Sequence, residues 1–226
     1  MSNPARRLFS ISLMLLMAGG VLVACATQTP KPIAASVDAD QDQAAAMASG
    51  DFSSCAVCHG SGLKGNEATA APALTGLPPW YVKNQLKAFK AGWRGGNPAD
   101  VKGVMMHRTA QLLTDTMIDQ AVAYVANLRE KPITTAKSVS APLYADNCAT
   151  CHGENGSGNE KRGAPPIAGI SEWYAINQLE KFRKGWRGAH PNDATGQDMA
   201  AAITELSDED LLAITKLLAG EYPHLR

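Results

Sequence analysis

The chain repeats itself. Residues 55–106 align with residues 148–199 without a gap at a constant offset of 93, and 25 of the 52 aligned positions are identical. The identities include the bulky pairs Trp80/Trp173, Tyr81/Tyr174, Phe89/Phe182 and Trp93/Trp186. Unrelated stretches do not share residues at that density, so one unit has been duplicated. Two similar small domains follow: the 226 residues suffice for two modest cores, since single domains usually hold about 100–150 residues. The first domain is expected over 47–130 and the second over 142–226. Between them, 131–141 contains Pro132 and mostly small or polar residues and reads as a linker.

Inside each copy the apolar residues recur at spacings of three and four, the period of a helix with one buried face. Val82, Leu86, Phe89 and Trp93 share such a face, and Ala175, Leu179, Phe182 and Trp186 repeat it. Pro78 and Pro79, or Ser171 with Glu172, suit the start of this helix; Gly92 and Gly185 suit its end. The last helix of each copy is predicted to start at Thr114 or Ser207, whose hydroxyls can cap free amides, with Asp115 or Asp208 near the positive end of the dipole. Ile118, Ala121, Val125 and Leu128 form its apolar stripe, matched by Leu211, Ile214 and Leu218. Short helices are expected over 44–54 and 142–147. No strand pattern competes, so the predicted class is all-α.

Two motifs carry the chemistry. Cys55-Ala-Val-Cys58-His59 and Cys148-Ala-Thr-Cys151-His152 are both C-x-x-C-H, the pattern for covalent attachment of c-type haem. Thiols three positions apart on a helical turn reach both vinyl groups of one porphyrin, and the adjacent imidazole comes to lie beneath the iron. A zinc site needs four ligands, and a thioredoxin-like pair has no use for a following histidine twice over. Two haem c groups are therefore expected, with His59 and His152 as axial ligands. Of the five cysteines this leaves only Cys25, so no disulfide is expected.

The sixth ligand should come from the opposite side of each pocket. Met199 is the single methionine of the second copy, and the offset pairs it with Met106 rather than the neighbouring Met105. A lone methionine is more often core filler; the register match and the position ahead of the last helix favour ligation. The rival histidines His107 and His190 have Ala200 and Asn97 at the repeat-equivalent positions. Both, with His224, are read as ordinary exposed residues. Thioether ligation raises the iron potential relative to two imidazoles, which suits electrons travelling toward an oxidase.

The N-terminus reads as an export signal, Arg6 and Arg7 followed by a mostly apolar run over 8–23. Leu22-Val23-Ala24-Cys25 resembles a bacterial lipobox, in which the signal is cut before the cysteine and that residue is acylated. An ordinary signal with an incidental cysteine is the plainer alternative. Residues 1–24 are thus expected to be removed, and 25–46, nearly devoid of large apolar side chains, to act as a flexible tether. The expected location is the periplasm, held to the membrane by lipid. With 21 basic and 21 acidic residues, the total charge points to neither nucleic acid nor an extensive electrostatic hold on membranes. Lys83, Lys87 and Lys90, with Lys181, Arg183 and Lys184, form a local basic patch, either a solvated helix face or a meeting surface for an acidic partner.

Taken together, C-x-x-C-H-G, Ala-Pro-x-Leu/Ile-x-Gly, Trp-Tyr-x-x-Asn-Gln-Leu-x-x-Phe, Gly-Trp-Arg-Gly and the methionine ahead of Leu-Thr/Ser-Asp resemble the tandem class I cytochromes of the cytochrome c4 type. The resemblance runs from residue 47 to the C-terminus. It implies two small helical folds, each wrapped around one covalently bound haem c, in a soluble or membrane-tethered protein that shuttles electrons from quinol-oxidising complexes to terminal oxidases or reductases. By the same resemblance the carbonyls of Pro72 and Pro165 accept the second ring N–H of His59 and His152. Arg94 and Arg187 are candidates to pair with haem propionates, since a guanidinium matches a carboxylate bidentately.

Three functions compete. Two six-coordinate irons make an electron carrier with no substrate chemistry. The same haems serve a subunit fixed to a membrane-bound dehydrogenase, and the lipobox suits such a fixed station. A dihaem peroxidase requires an open iron, and so predicts that one copy lacks its methionine; both copies have one.

Overall fold

The computed structural model describes residues 41–42, 45–128 and 141–220. The signal segment, Cys25 with most of the tether, nearly all of the linker and His224 lie outside the described residues. In the first repeat α1 (Cys55–His59) leads through a 3-10 turn into a ribbon of β1 (Lys64–Asn66) and β2 (Ala71–Ala73), followed by α2 (Pro79–Lys90), α3 (Val101–Gln111) and α4 (Asp115–Asn127). The second repeat runs α5 (Pro142–Asn147), α6 (Ala149–His152), a 3-10 turn, α7 (Glu172–Arg183), α8 (Ala194–Ala202) and α9 (Asp208–Gly220). The class is all-α, as expected. Among the described residues no helix is long and apolar enough to cross a membrane.

Sequence and backbone agree closely at the helix ends. Pro78 is the N-cap of α2 and Pro79 its first residue, where a missing N–H costs nothing. Gly92 and Gly185, at φ +74° and +65°, turn the chain away after α2 and α7 in a conformation that costs glycine little. Thr114 Oγ1 accepts from the Met117 amide at 3.2 Å at the start of α4. At α9 the cap is reciprocal: Ser207 Oγ accepts from the Asp210 amide at 3.1 Å and the Asp210 carboxylate accepts from the Ser207 amide at 3.0 Å.

Two features go beyond the sequence reading. The ribbon pairs Lys64 with Ala73 and Asn66 with Ala71; three-residue strands are too short to show alternation. In the second repeat it shrinks to one bridge, Asn159 with Ala164, at the positions equivalent to Asn66 and Ala71. Helices α3 and α8 were also unforeseen, because Gly103 and Gly196 interrupt their propensity. Asp100 and Asp193 start them, each accepting a glycine amide through Oδ1, at 2.9 Å from Gly103 and 3.0 Å from Gly196. A Cβ at Gly103 or Gly196 would stand 2.1 Å from the capping carboxylate. Glycine is therefore the residue that lets the cap close. Replacing Asp193 with Ala removes a cap and little else, and should lower stability by about 0.5–2 kcal/mol in a denaturant melt.

Each repeat closes on its own apolar clusters. In the first, Met47, Phe52, Leu113, Met117, Ile118 and Ala121 pack together beside a group of Leu63, Val82 and Val125. In the second, Tyr144 joins Ile214 and Leu218, while Phe182, Ile203 and Leu211 form the neighbouring group. Tyr144 is fully buried and its hydroxyl donates to the Gly153 carbonyl at 2.7 Å. Burial pushes its pKa up to about 12 from 10.0. The folded state thus keeps this proton where the unfolded chain has lost it, so stability should fall as pH rises from 10.0 toward about 12. In an ultraviolet titration one of the five tyrosines should ionise late, and Tyr144→Phe should remove that step.

Candidate haem centres

Helices α1 and α6 are single turns carrying the C-x-x-C-H motifs, ended by Gly60 at φ +78° and Gly153 at φ +79°. A side chain at Gly60 would strike the Gly65 carbonyl at 2.5 Å, so the chain doubles back tightly behind the histidine. Spacing of three places each pair of thiols on one helix face. Among the described residues the four motif cysteines form no disulfide. Burial raises the pKa of the Cys55 thiol, and that of Cys148 to about 11.

Both motif histidines are buried, His59 at 8% and His152 at 6% exposure. Nδ1 of His59 lies 2.8 Å from the Pro72 carbonyl, and Nδ1 of His152 lies 2.8 Å from the Pro165 carbonyl. A carbonyl can only accept, so each Nδ1 carries the proton and Nε2 keeps its lone pair free. Burial holds both imidazoles below the usual histidine range, His59 further aided by the Arg94 charge. Neutral rings that keep the Nε2 lone pair free are what ligation of iron requires.

Met106 sits on α3 and Met199 on α8, both half-buried, whereas Met105 is 52% exposed. Met199 packs against Phe182, Ile203 and Leu211. A cavity of about 1340 Å³ brings together Cys148, Cys151, His152, Pro165, Met199 and Arg187, and continues to Tyr81 and Gln85 of the first repeat. That exceeds the roughly 300–1,000 Å³ of ordinary small-molecule pockets. Among the described residues no cluster of three or more His, Cys, Asp or Glu could hold a bare metal ion. The donor set fits iron carried in a porphyrin.

Arg94 and Arg187 have partners that single-repeat reasoning did not reveal. Arg94 is buried at the boundary between the repeats. Its guanidinium donates to Gln85 Oε1 at 2.7 Å, to the Tyr174 hydroxyl at 2.9 Å and to Gln178 Oε1 at 2.8 Å. Arg187 mirrors it, donating to Gln178 Oε1 at 3.0 Å and to the Tyr81 hydroxyl and Gln85 Oε1 at 3.2 Å each. Each guanidinium also stacks on a phenylalanine of its own repeat, 4.4 Å from the Phe89 ring centre and 4.5 Å from that of Phe182. The signal was present in the repeat, since Tyr81, Gln85 and Arg94 are all identical to their counterparts.

Other expectations shift. His107 and His190 are half-buried rather than exposed: Nδ1 of His107 bonds to the Phe89 carbonyl, and the His190 ring stacks on Trp93 at 5.7 Å across the boundary. The basic patch is largely neutralised. Lys83 pairs with Asp119 at 2.6 Å, Lys90 with Asp115 at 3.0 Å, Lys184 with Glu180 at 3.0 Å, and Arg183 with Asp208. Lys181 is turned inward onto Asp100.

Known proteins place this arrangement. The cytochrome c family model matches residues 49–129 and again 141–220. A cytochrome c4 of Azotobacter vinelandii is 31% identical over 192 residues, 78% of this chain and 88% of that protein. A thiosulfate dehydrogenase electron acceptor of Stutzerimonas stutzeri is 31% identical over 183 residues, 74% and 78% of the respective lengths. The crystal structure of reduced cytochrome c4 from Pseudomonas stutzeri superposes with a TM-score of 0.53 at 27% identity, covering 81% of this chain and 97% of that one. The duplicated attachment motif thus has its counterpart in proteins of the same build, and the chain belongs to the cytochrome c family as a cytochrome c4-like electron-transfer protein with two covalently bound haem c groups.

Proposed function

We propose that the chain is a periplasm-facing electron carrier of a respiratory chain, tethered through acylated Cys25, that takes electrons from a quinol-oxidising complex or dehydrogenase and passes them to a terminal oxidase or reductase. The observation that supports this most strongly is the register: His59 with Met106 and His152 with Met199 recur at one offset, and each histidine keeps Nε2 free through a proline carbonyl. Bound haem supplies one-electron chemistry. Cys55, Cys58, Cys148 and Cys151 would anchor it by thioether bonds, His59 and Met106 in the first repeat and His152 and Met199 in the second would hold the iron, and Pro72 and Pro165 would fix the imidazole planes. Arg94 and Arg187 are assigned a second role toward the haem propionates, supported for Arg187 by its place on the cavity wall. Iron held on both sides by protein side chains would pass electrons without binding a substrate.

The ascorbate-reduced holoprotein, mixed with membranes containing a terminal oxidase, is expected to re-oxidise at both haems. Absence of re-oxidation by any such membrane would exclude the carrier role. A second reading, a haem subunit fixed to a dehydrogenase, is favoured by the ion pairs that consume the basic patch; the Stutzerimonas relative, named as an electron acceptor of a dehydrogenase, suits a dehydrogenase as donor in either reading. Rates that fall with salt indicate a transient encounter; co-purification with a dehydrogenase in high salt indicates the fixed subunit.

A further inference from the structure

The symmetry of the boundary is broken at one pair of positions. The offset aligns Lys181 with Ala88, and both are buried. Lys181 Nζ lies 2.8 Å from Asp100 Oδ1, with side-chain exposures of 11% and 4%. Asp100 belongs to the other repeat, where the same oxygen accepts the Gly103 amide and caps α3, the helix of Met106. At the second site the cap is Asp193, and the alanine at position 88 can offer it no cation. A buried ion pair contributes little net stability against an apolar alternative, while breaking it on one side leaves a charge stranded. Its best-attested use is to fix one arrangement of two elements.

We propose that Lys181 is a positioning residue for the first haem site. It clamps the capped end of α3 to α7, so that Met106 is held in its ligating position by the second domain. The dependence runs one way, since Met199 rides on a helix whose cap, Asp193, has no such ion pair among the described residues. This rests on the assignment of Met106 and Met199 as ligands.

The test reads the charge-transfer absorption that marks sulfur bound to ferric haem, as holoprotein is warmed. In a Met199→Ala background the remaining band belongs to the first site; in a Met106→Ala background, to the second. Lys181→Met should lower the temperature at which the first-site band bleaches by roughly 5–10 °C and leave the second-site band in place. Because Lys181→Met strands Asp100, the double variant Lys181→Met/Asp100→Asn removes both charges and keeps a capping side chain; it should bleach early as well. Unchanged bleaching, an equal shift in both backgrounds, or return of the double variant to the parent temperature would overturn the clamp. Full absorption in Met106→Ala alone would instead overturn the ligand assignment, and the clamp with it.

Discussion

Met199→Ala should leave half of the sulfur-to-iron charge-transfer absorption, and Met106→Ala the other half. The register of the repeat singles out these two methionines, and each stands on a helix started by an equivalent aspartate cap. Loss of a thioether ligand lowers the potential of that haem, within the roughly 0.8 V that axial ligands span, and opens its iron to carbon monoxide. Each variant should therefore bind about half an equivalent of carbon monoxide per haem, where the parent binds none. Met105→Ala is the matched control: this side chain is exposed, and its removal should change neither spectrum nor potential. A full charge-transfer band in either ligand variant would refute its assignment.

Arg94→Ala should have the largest effect on stability. Its guanidinium is buried and donates to three side-chain acceptors, two of them in the other repeat, and hydrogen bonds to a charged group are worth about 1.5–3 kcal/mol each. Allowing for their shared geometry, a loss of about 3 kcal/mol or more is expected, with one calorimetric transition separating into two as the repeats lose their common boundary. Arg187→Ala should cost less, because Arg187 is only half-buried and its bonds to Tyr81 and Gln85 are longer. The Arg94 charge also acts on His59. Its removal should lower the potential of the first haem, since a nearby positive charge disfavours the oxidised iron. A single transition at the parent temperature would contradict the boundary role.

Much of this was legible before any coordinates. The offset marked a duplicated unit, matched twice by the cytochrome c family model, and paired the candidate ligands; caps at Thr114 and Ser207 and the proline start of α2 placed helices where they stand. What escaped has definite causes. Helices α3 and α8 hide because a mid-turn glycine and a weakly apolar face mask a cap that Asp100 and Asp193 mark at equivalent positions. The ribbon hides because Ala71–Ala73 is too short for a period. The boundary hides because Arg94 meets Gln178, 84 residues away, and periodicity reports only on near neighbours. Repeat identity at Tyr81, Gln85 and Arg94 marked those residues as important without saying that each reaches across to the other copy.

Closed coordination at both irons is the claim on which the carrier role depends. Carbon monoxide titration of the fully reduced, unmutated holoprotein measures it directly. A Soret spectrum unchanged at saturating gas is the predicted result, and stoichiometric binding at one haem would mark that centre as a site for substrate chemistry instead.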